Sequence, residues 1–546
     1  MHNKYYLLGY IALFFLSGCT GLPLSPNDYP ITEFQKGTTE YENRIKTYDK
    51  EIQNHVIAIG RDGELRDPLT GDPAPSPEDY LTNIVKNIKK FSKNNSTNGE
   101  TELLIYIHGG LNSKGGALKR ALENYQLIKD SGKYPVFINW RSGPATTYLA
   151  HLWRIRQGEK SNTALVTSPV YLATDVGKSI VNAPKAWLVT GEHMVASLNE
   201  NKVITDFKSQ IEHHHTDLVT LTKGTEESHF LRSLQWAVTS PFKVVTTPFT
   251  YTMSKPAWDI MLRRTSTLFY TPCDLKKNPG DSDCDVGLEM EDTEKSNAGV
   301  ALRPGNGALY RFLSALEQGT EKSKIKITLV GHSMGAIVVN DIINLGLDLT
   351  YENIVHMASA DSIDNFLNKI VPYIDCSLEE DKKSACNNGV NVNFYSLYLH
   401  PDNENREVSA EGFTPSGSLL TWIDGMFTTP KTVLDKRSGR WDNMTRAIGL
   451  IPPIQDSTGG VLPSFPLVEK KFHNVKGQMH FTVFNIEKRN KYSPKELYEM
   501  GICNNLDTDC QKHELYSTAQ EHGDFDELPF WREDVWNGTI TPAKGK

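Results

Sequence analysis

Gly331-His332-Ser333-Met334-Gly335 is the segment of this 546-residue chain best suited to chemistry. A serine hydroxyl is a weak nucleophile at neutral pH until a base takes its proton and a sharp turn holds its oxygen clear of the backbone. The segment follows an apolar run, Ile325 to Val330, and precedes a helical pattern, Met334 to Leu345, that Gly346 ends. A strand-turn-helix setting pushes the serine hydroxyl out above the sheet edge, and glycines at both ends of the motif avoid collision with strand and helix. The start of the following helix also favours developing negative charge. The chemistry that fits is attack on a carbonyl carbon. Such attack needs backbone donors for the oxyanion, and His108-Gly109-Gly110-Leu111-Asn112, a glycine turn after another apolar run, is a second segment able to offer them. Side-chain-free backbone at Gly109 and Gly110 can approach a substrate, so an N–H from one of them and that of Met334 can meet the same oxygen.

These residues need a rigid sheet beneath them. Leu103-Leu104-Ile105-Tyr106-Ile107 is a continuous apolar run, as expected of a parallel strand covered on both faces. Leu118, Ala121, Leu122, Tyr125 and Ile128 follow at helical spacing up to Gly132, and Val136 to Trp140 is a second buried strand. The order strand, helix, strand is a βαβ unit. The rhythm returns downstream with strands predicted at Ile325–Val330, Asn353–Ala358, Val392–Leu399 and His480–Asn485. The expected fold class is therefore α/β, with a mostly parallel central sheet and helices on both faces. Residues 143–300 are Pro-interrupted, aromatic and amphipathic without that rhythm, which predicts a large inserted cap. Residues 19–98 are polar and broken by Pro and Gly, and are assigned to a tether and an N-terminal extension. The sheet is thereby divided between 99–142 and 301–546.

The His-Gly-Gly loop taken with Gly-His-Ser-Met-Gly resembles the lipases and esterases of the α/β-hydrolase superfamily, over about 102–142 and 301–536. That resemblance implies an α/β-hydrolase fold and the chain order serine, acid, histidine. His522, in Glu521-His522-Gly523-Asp524-Phe525-Asp526, is then the expected base, with His473 and His480 as rivals in or beside the last strand. Asp402 after Leu399 is the expected acid, ahead of Asp361 and Asp364, which follow the preceding strand. The acid would hold the imidazole in the right tautomer and stabilise its protonated form. Asp424, at the end of an apolar segment, has no place in that order and is read as structural. The implied activity is hydrolysis of carboxylic esters, with a phospholipase, a thioesterase or a non-catalytic binding scaffold as alternatives. No metal or organic cofactor is required.

The chain's first residues read as an export signal: Lys4, then an apolar stretch from Tyr5 to Leu16 that is too short to span a bilayer comfortably. It ends in Leu16-Ser17-Gly18-Cys19, which resembles a bacterial lipobox. The resemblance implies cleavage after residue 18 and a lipid on Cys19; Thr20 in place of Asp points to the outer membrane. Six further cysteines form three near pairs, Cys273 with Cys284, Cys376 with Cys386 and Cys503 with Cys510, consistent with disulfides in an oxidising compartment. Zinc is disfavoured, since no Cys-x-x-Cys spacing occurs. His213-His214-His215 cannot all face one ion either. A net charge of -8 leaves no basic excess for nucleic acid. The expected partners are an ester or lipid substrate and the membrane that holds the anchor.

Overall fold

The computed structural model describes the chain, with short interruptions, over residues 52–142, 155–198, 218–222, 246–272, 302–447 and 472–543. Cys19, Cys273, Cys284, His213–His215 and His473 lie outside the described residues. Nine strands form one mixed, mostly parallel sheet: β1 (Val56–Ile59), β2 (Leu65–Arg66), β3 (Thr101–Ile107), β4 (Lys133–Trp140), β5 (Val219–Leu221), β6 (Ile325–His332), β7 (Thr350–Met357), β8 (Asn393–Leu399) and β9 (Met479–Phe484). Their order across the sheet is β2-β1-β4-β3-β6-β7-β8-β9-β5, and only the β1–β2 pair is antiparallel. Five consecutive residues of β3, Leu103 to Ile107, are buried, and six of β6. Both faces of these strands are therefore covered, and each fully buried aliphatic side chain stabilises the fold by roughly 1.5–3 kcal/mol.

Helices α1 (Pro77–Asn95), α2 (Lys114–Asp130), α3 (Ala164–Leu198), α4 (Ala308–Gly319) and α5 (Gly335–Asn344) accompany the sheet. The first of them packs on β3 and on α4, α2 packs on β4, and α5 on β6. Gly132 and Gly346, the expected helix stops, have φ of 89° and 67°, a left-handed conformation that costs a glycine little. The α/β class and the central strands stand where the sequence pattern puts them, with ends shifted by one to three residues.

The domain limits differ from the pattern in two places. The sheet begins inside the segment assigned to the N-terminal extension: β1 pairs in parallel with β4, Tyr80 donates to the Val56 carbonyl at 2.6 Å, and Ile84 and Ile88 of α1 are buried in the core. Residues 143–300 are not wholly outside the sheet either, because β5 extends it beyond β9 and Phe481 N–H donates to Leu218 O at 2.7 Å. Both strands are four residues or fewer, too short to show a period, and both pair with strands far away in sequence.

Candidate active site

All central strands are parallel, so their carboxyl ends share one edge, where ligands of open α/β sheets bind. Ser333 sits there between β6 and α5, with φ of 54°, a conformation that L-residues other than Asn and Asp rarely adopt. The turn is held from three sides: Ser333 N–H donates to Met357 O at 2.8 Å, and Ser333 O accepts from Ala336 N–H at 3.1 Å and Ala360 N–H at 3.0 Å. Ala358, also with positive φ, continues that brace by donating to Leu397 O at 2.9 Å. Neither flanking glycine has room for a side chain. A Cβ on Gly331 would lie 2.7 Å from Ala336 N, and one on Gly335 would run into the Ile107 carbonyl. Strain of this kind persists only where its surroundings enforce it.

The Gly109–Gly110 loop lies against this turn. A Cβ on Gly109 would sit 2.8 Å from Ser333 Cβ, and one on Gly110 would meet the Met334 sulfur and Met261 Cε. Ser333, Met334 and the loop residues expected to bind an oxyanion are thus adjacent. His108 fixes the loop. Its Nδ1 lies 2.8 Å from Gly109 O, and its Nε2 accepts from Trp140 N–H at 3.2 Å, so the proton resides on Nδ1. Burial pushes its pKa down to about 4, so the ring is neutral at physiological pH. Ser142 adds a second donor to Gly109 O at 2.9 Å.

His522 opens a short 3-10 turn, His522–Glu527, and is buried. Its ring faces that of His332 with centroids 5.1 Å apart. Burial, with some help from His332, pushes its pKa down to about 3, so the ring is neutral at physiological pH. Among the described residues neither of its ring nitrogens has a hydrogen-bond partner, nor has Ser333 Oγ. Two polar side chains at the sheet's carboxyl edge are thus buried without a protein partner among the described residues, where most buried polar groups have one.

The structure does not join Asp402 to His522. Asp402 Oδ1 lies 2.9 Å from Arg406 Nε, within the buried helical turn Pro401–Arg406. The carboxylate that does reach His522 is Glu407, whose Oε2 accepts the His522 backbone N–H at 2.9 Å. Burial pushes Glu407 up to about 8, and Glu404 on the same turn up to about 7. Asp361 is occupied by Asn340 Nδ2 at 2.6 Å, Ser362 N–H at 2.8 Å and Asn365 Nδ2 at 2.9 Å, while Asp364 is exposed. His480 is the second residue of β9, at the opposite end of the sheet, stacked on Tyr395. Asp424 accepts from Arg437 N–H at 2.9 Å and Asn443 Nδ2 at 2.7 Å and pairs with Arg440, a structural set of contacts.

Sequence reasoning missed the network under the site. Asp526 receives the Tyr106 hydroxyl, lies 2.8 Å from Arg120 Nη2, and lies 2.8 Å from His332 Nδ1. Burial alone would raise its pKa, but Arg120, His332 and Tyr106 outweigh that and hold it below the ordinary carboxylate range. The other ring nitrogen of His332 bonds His522 O at 2.9 Å. His332 therefore ties the serine turn to the histidine turn. One signal was available: a tyrosine in the aliphatic run of β3 needs a partner for its hydroxyl.

Among the described residues no group of three or more His, Cys, Asp or Glu side chains gathers to hold a metal ion. Two of the expected disulfides, Cys376–Cys386 and Cys503–Cys510, are formed, with Cα atoms 6.3 Å and 5.5 Å apart. No protein-family model, curated protein or solved structure matched the chain.

Proposed function

We propose that the chain is a serine hydrolase of the α/β-hydrolase type that cleaves carboxylic esters through an acyl-enzyme on Ser333. The observation that carries this reading is the strained Ser333 turn, at φ of 54°, wedged between glycines without room for a Cβ and facing the Gly109–Gly110 loop. Sheet order supports it. The serine strand β6 lies between β3, which leads to the glycine loop, and β7; β8 and β9 follow outward and lead to the carboxylate turn and to His522.

In the proposed reaction Ser333 Oγ attacks the ester carbonyl while neutral His522 accepts its proton. The oxyanion is met by backbone N–H groups of Met334 and of Gly109 or Gly110; the Ser333 N–H is already engaged with Met357 O. His522 then protonates the departing alcohol, and the same ring activates the water that releases the acid. Asp402, the acid expected from strand order, is held by Arg406, while the same turn presents Glu407 to the His522 backbone. With Ser333 and His522 1% and 4% exposed, substrate entry requires an opening. Residues 255–266, which bring Met261 onto Gly110, are the segment to move. The lipobox-like segment ending in Cys19 supports a location in the bacterial envelope, held at the outer membrane by an N-terminal lipid. A panel of p-nitrophenyl esters of increasing acyl length, with and without micelles, tests the activity. Turnover abolished by Ser333→Ala and by His522→Ala is expected; turnover that survives either substitution would reject the mechanism. Absence of turnover in the wild-type chain would leave the fold as a binding scaffold.

A further inference from the structure

The 35-residue helix α3 buries one face and leaves an apolar face open. Asp175, Ser179, Ala183 and Ala186 are buried, and recur at the three- and four-residue spacing of a single helix side. The helix packs on Pro401–Arg406, the carboxylate turn of the candidate site, and on Ile423–Phe427. At about 100° per residue the open surface carries Val170, Ile180, Val181, Trp187 and Leu188, with Val170, Val181 and Leu188 opposite the buried side and Ile180 and Trp187 on its flank. These are 65%, 69%, 79%, 46% and 71% exposed. Large side chains this open, clustered over five turns, are uncommon on a chain without a partner. Between Val170 and Leu188 the only charged residues are the buried Asp175 and two exposed lysines, Lys178 and Lys185, which lie together along one edge of the apolar face.

We propose that this outer face of α3 is a bilayer-docking surface, lying flat at the lipid headgroups. An apolar stripe with a tryptophan on it and lysines at its margin suits the boundary between acyl chains and anionic headgroups. The helix does not span: no described helix is long and apolar enough to cross a membrane. The tether supplies the occupant. If Cys19 carries the lipid, Ile52 cannot stand farther than roughly 120 Å from the bilayer, since each residue adds at most about 3.6 Å of reach. The stripe then meets the membrane as an intramolecular event. Docking of this kind rests on the lipid anchor proposed above at Cys19. Joined to the hydrolase reading, it makes membrane lipid esters the substrate class, because docking sets the turn Pro401–Arg406 and its active-site edge one helix diameter, roughly 10 Å, from the lipid.

The test uses residues 19–546 carrying Cys19→Ser, which have no acyl anchor, floated with vesicles of phosphatidylethanolamine and phosphatidylglycerol. The chain is expected to rise with the vesicles. Adding Val181→Asp and Leu188→Asp is expected to lower the bound fraction about tenfold or more, because two carboxylates would have to enter the acyl boundary. Both positions are exposed, so folding is expected to persist, as far-UV circular dichroism checks. A fluorophore on Val181→Cys is expected to brighten and shift to the blue on vesicles. A chain that stays at the bottom of the gradient overturns the proposal, as does flotation indifferent to the Asp pair. Dimers that the Asp pair dissolves, without flotation, also overturn it and give the face to a second copy of the chain. Flotation does not pass through Ser333. Fluorophosphonate labelling in the same samples therefore separates the two readings: labelled Ser333 without flotation removes docking alone, and flotation with unreactive Ser333 removes the hydrolase alone.

Discussion

Replacing Asp526 by Asn tests the buried network that joins the serine and histidine turns. The substitution keeps the side chain's size and one acceptor oxygen but removes the charge facing Arg120 and His332. Breaking a buried ion pair from one side typically costs about 3–5 kcal/mol, and the retained acceptor puts Asp526→Asn near the lower end, about 3 kcal/mol. With unfolding entropy of about 2.1 cal/mol/K per residue over the chain, that corresponds to a fall of roughly 3 °C in Tm at neutral pH. The pH dependence is the sharper signature. Asp526 has a folded pKa below its unfolded value of about 3.9, so its contribution is complete above that value and is lost as pH falls toward the folded pKa. Between pH 5 and pH 3 the difference between wild type and Asp526→Asn is therefore expected to narrow by about 1 kcal/mol. Urea unfolding at both pH values, with Arg120→Met and the double variant completing a cycle, measures it. A difference that does not change with pH, or Arg120 and Asp526 effects that simply add, would refute the network.

Three further outcomes are expected. Glu407→Gln removes a carboxyl group whose pKa burial raises to about 8; its unfolded value is about 4.3, so its stabilising contribution is present at low pH and lost as pH rises through that window. The variant should match wild type in urea midpoint near pH 4, below the unfolded value, and exceed it at pH 8; a difference that does not grow across that range would dispose of the assignment. Gly109→Ala forces a Cβ to within 2.8 Å of Ser333 Cβ and is expected to lower ester turnover at least tenfold, with stability measured alongside by thermal melting; unchanged turnover would show that the loop is not at the reacting atoms. Cys503→Ser with Cys510→Ser opens a loop with a sequence separation of 7 and is expected to cost about 2 kcal/mol on chain-entropy grounds, read as a urea midpoint that falls under oxidising conditions only.

What was legible in the sequence was local. The serine turn is written in consecutive residues: an apolar strand, two glycines that cannot carry a Cβ, and a helix whose described residues are almost all buried. The βαβ unit around β3 and α2 is equally contiguous. The contributions that escaped are non-local. Val56–Ile59 is four apolar residues among polar, Gly- and Pro-rich neighbours, and only its pairing with β4 makes it a core strand. Tyr106, Arg120, His332 and Asp526 are scattered over 420 positions and meet only because the sheet brings the ends of β3 and β6 side by side. The carboxylate partner of His522 escaped for a related reason. Strand order points to the turn after β8, but that turn carries three acidic side chains, and packing hands Asp402 to Arg406 and Glu407 to the His522 backbone.

The proposed reaction requires Ser333 to be an activated nucleophile. Treating the chain with a fluorophosphonate and mapping the adduct by peptide mass spectrometry tests it most directly. One equivalent on the peptide bearing Ser333 is predicted, with no adduct on Ser333→Ala and much slower labelling of His522→Ala. A wild-type chain that stays unlabelled, or a label carried equally by Ser333→Ala, would contradict it.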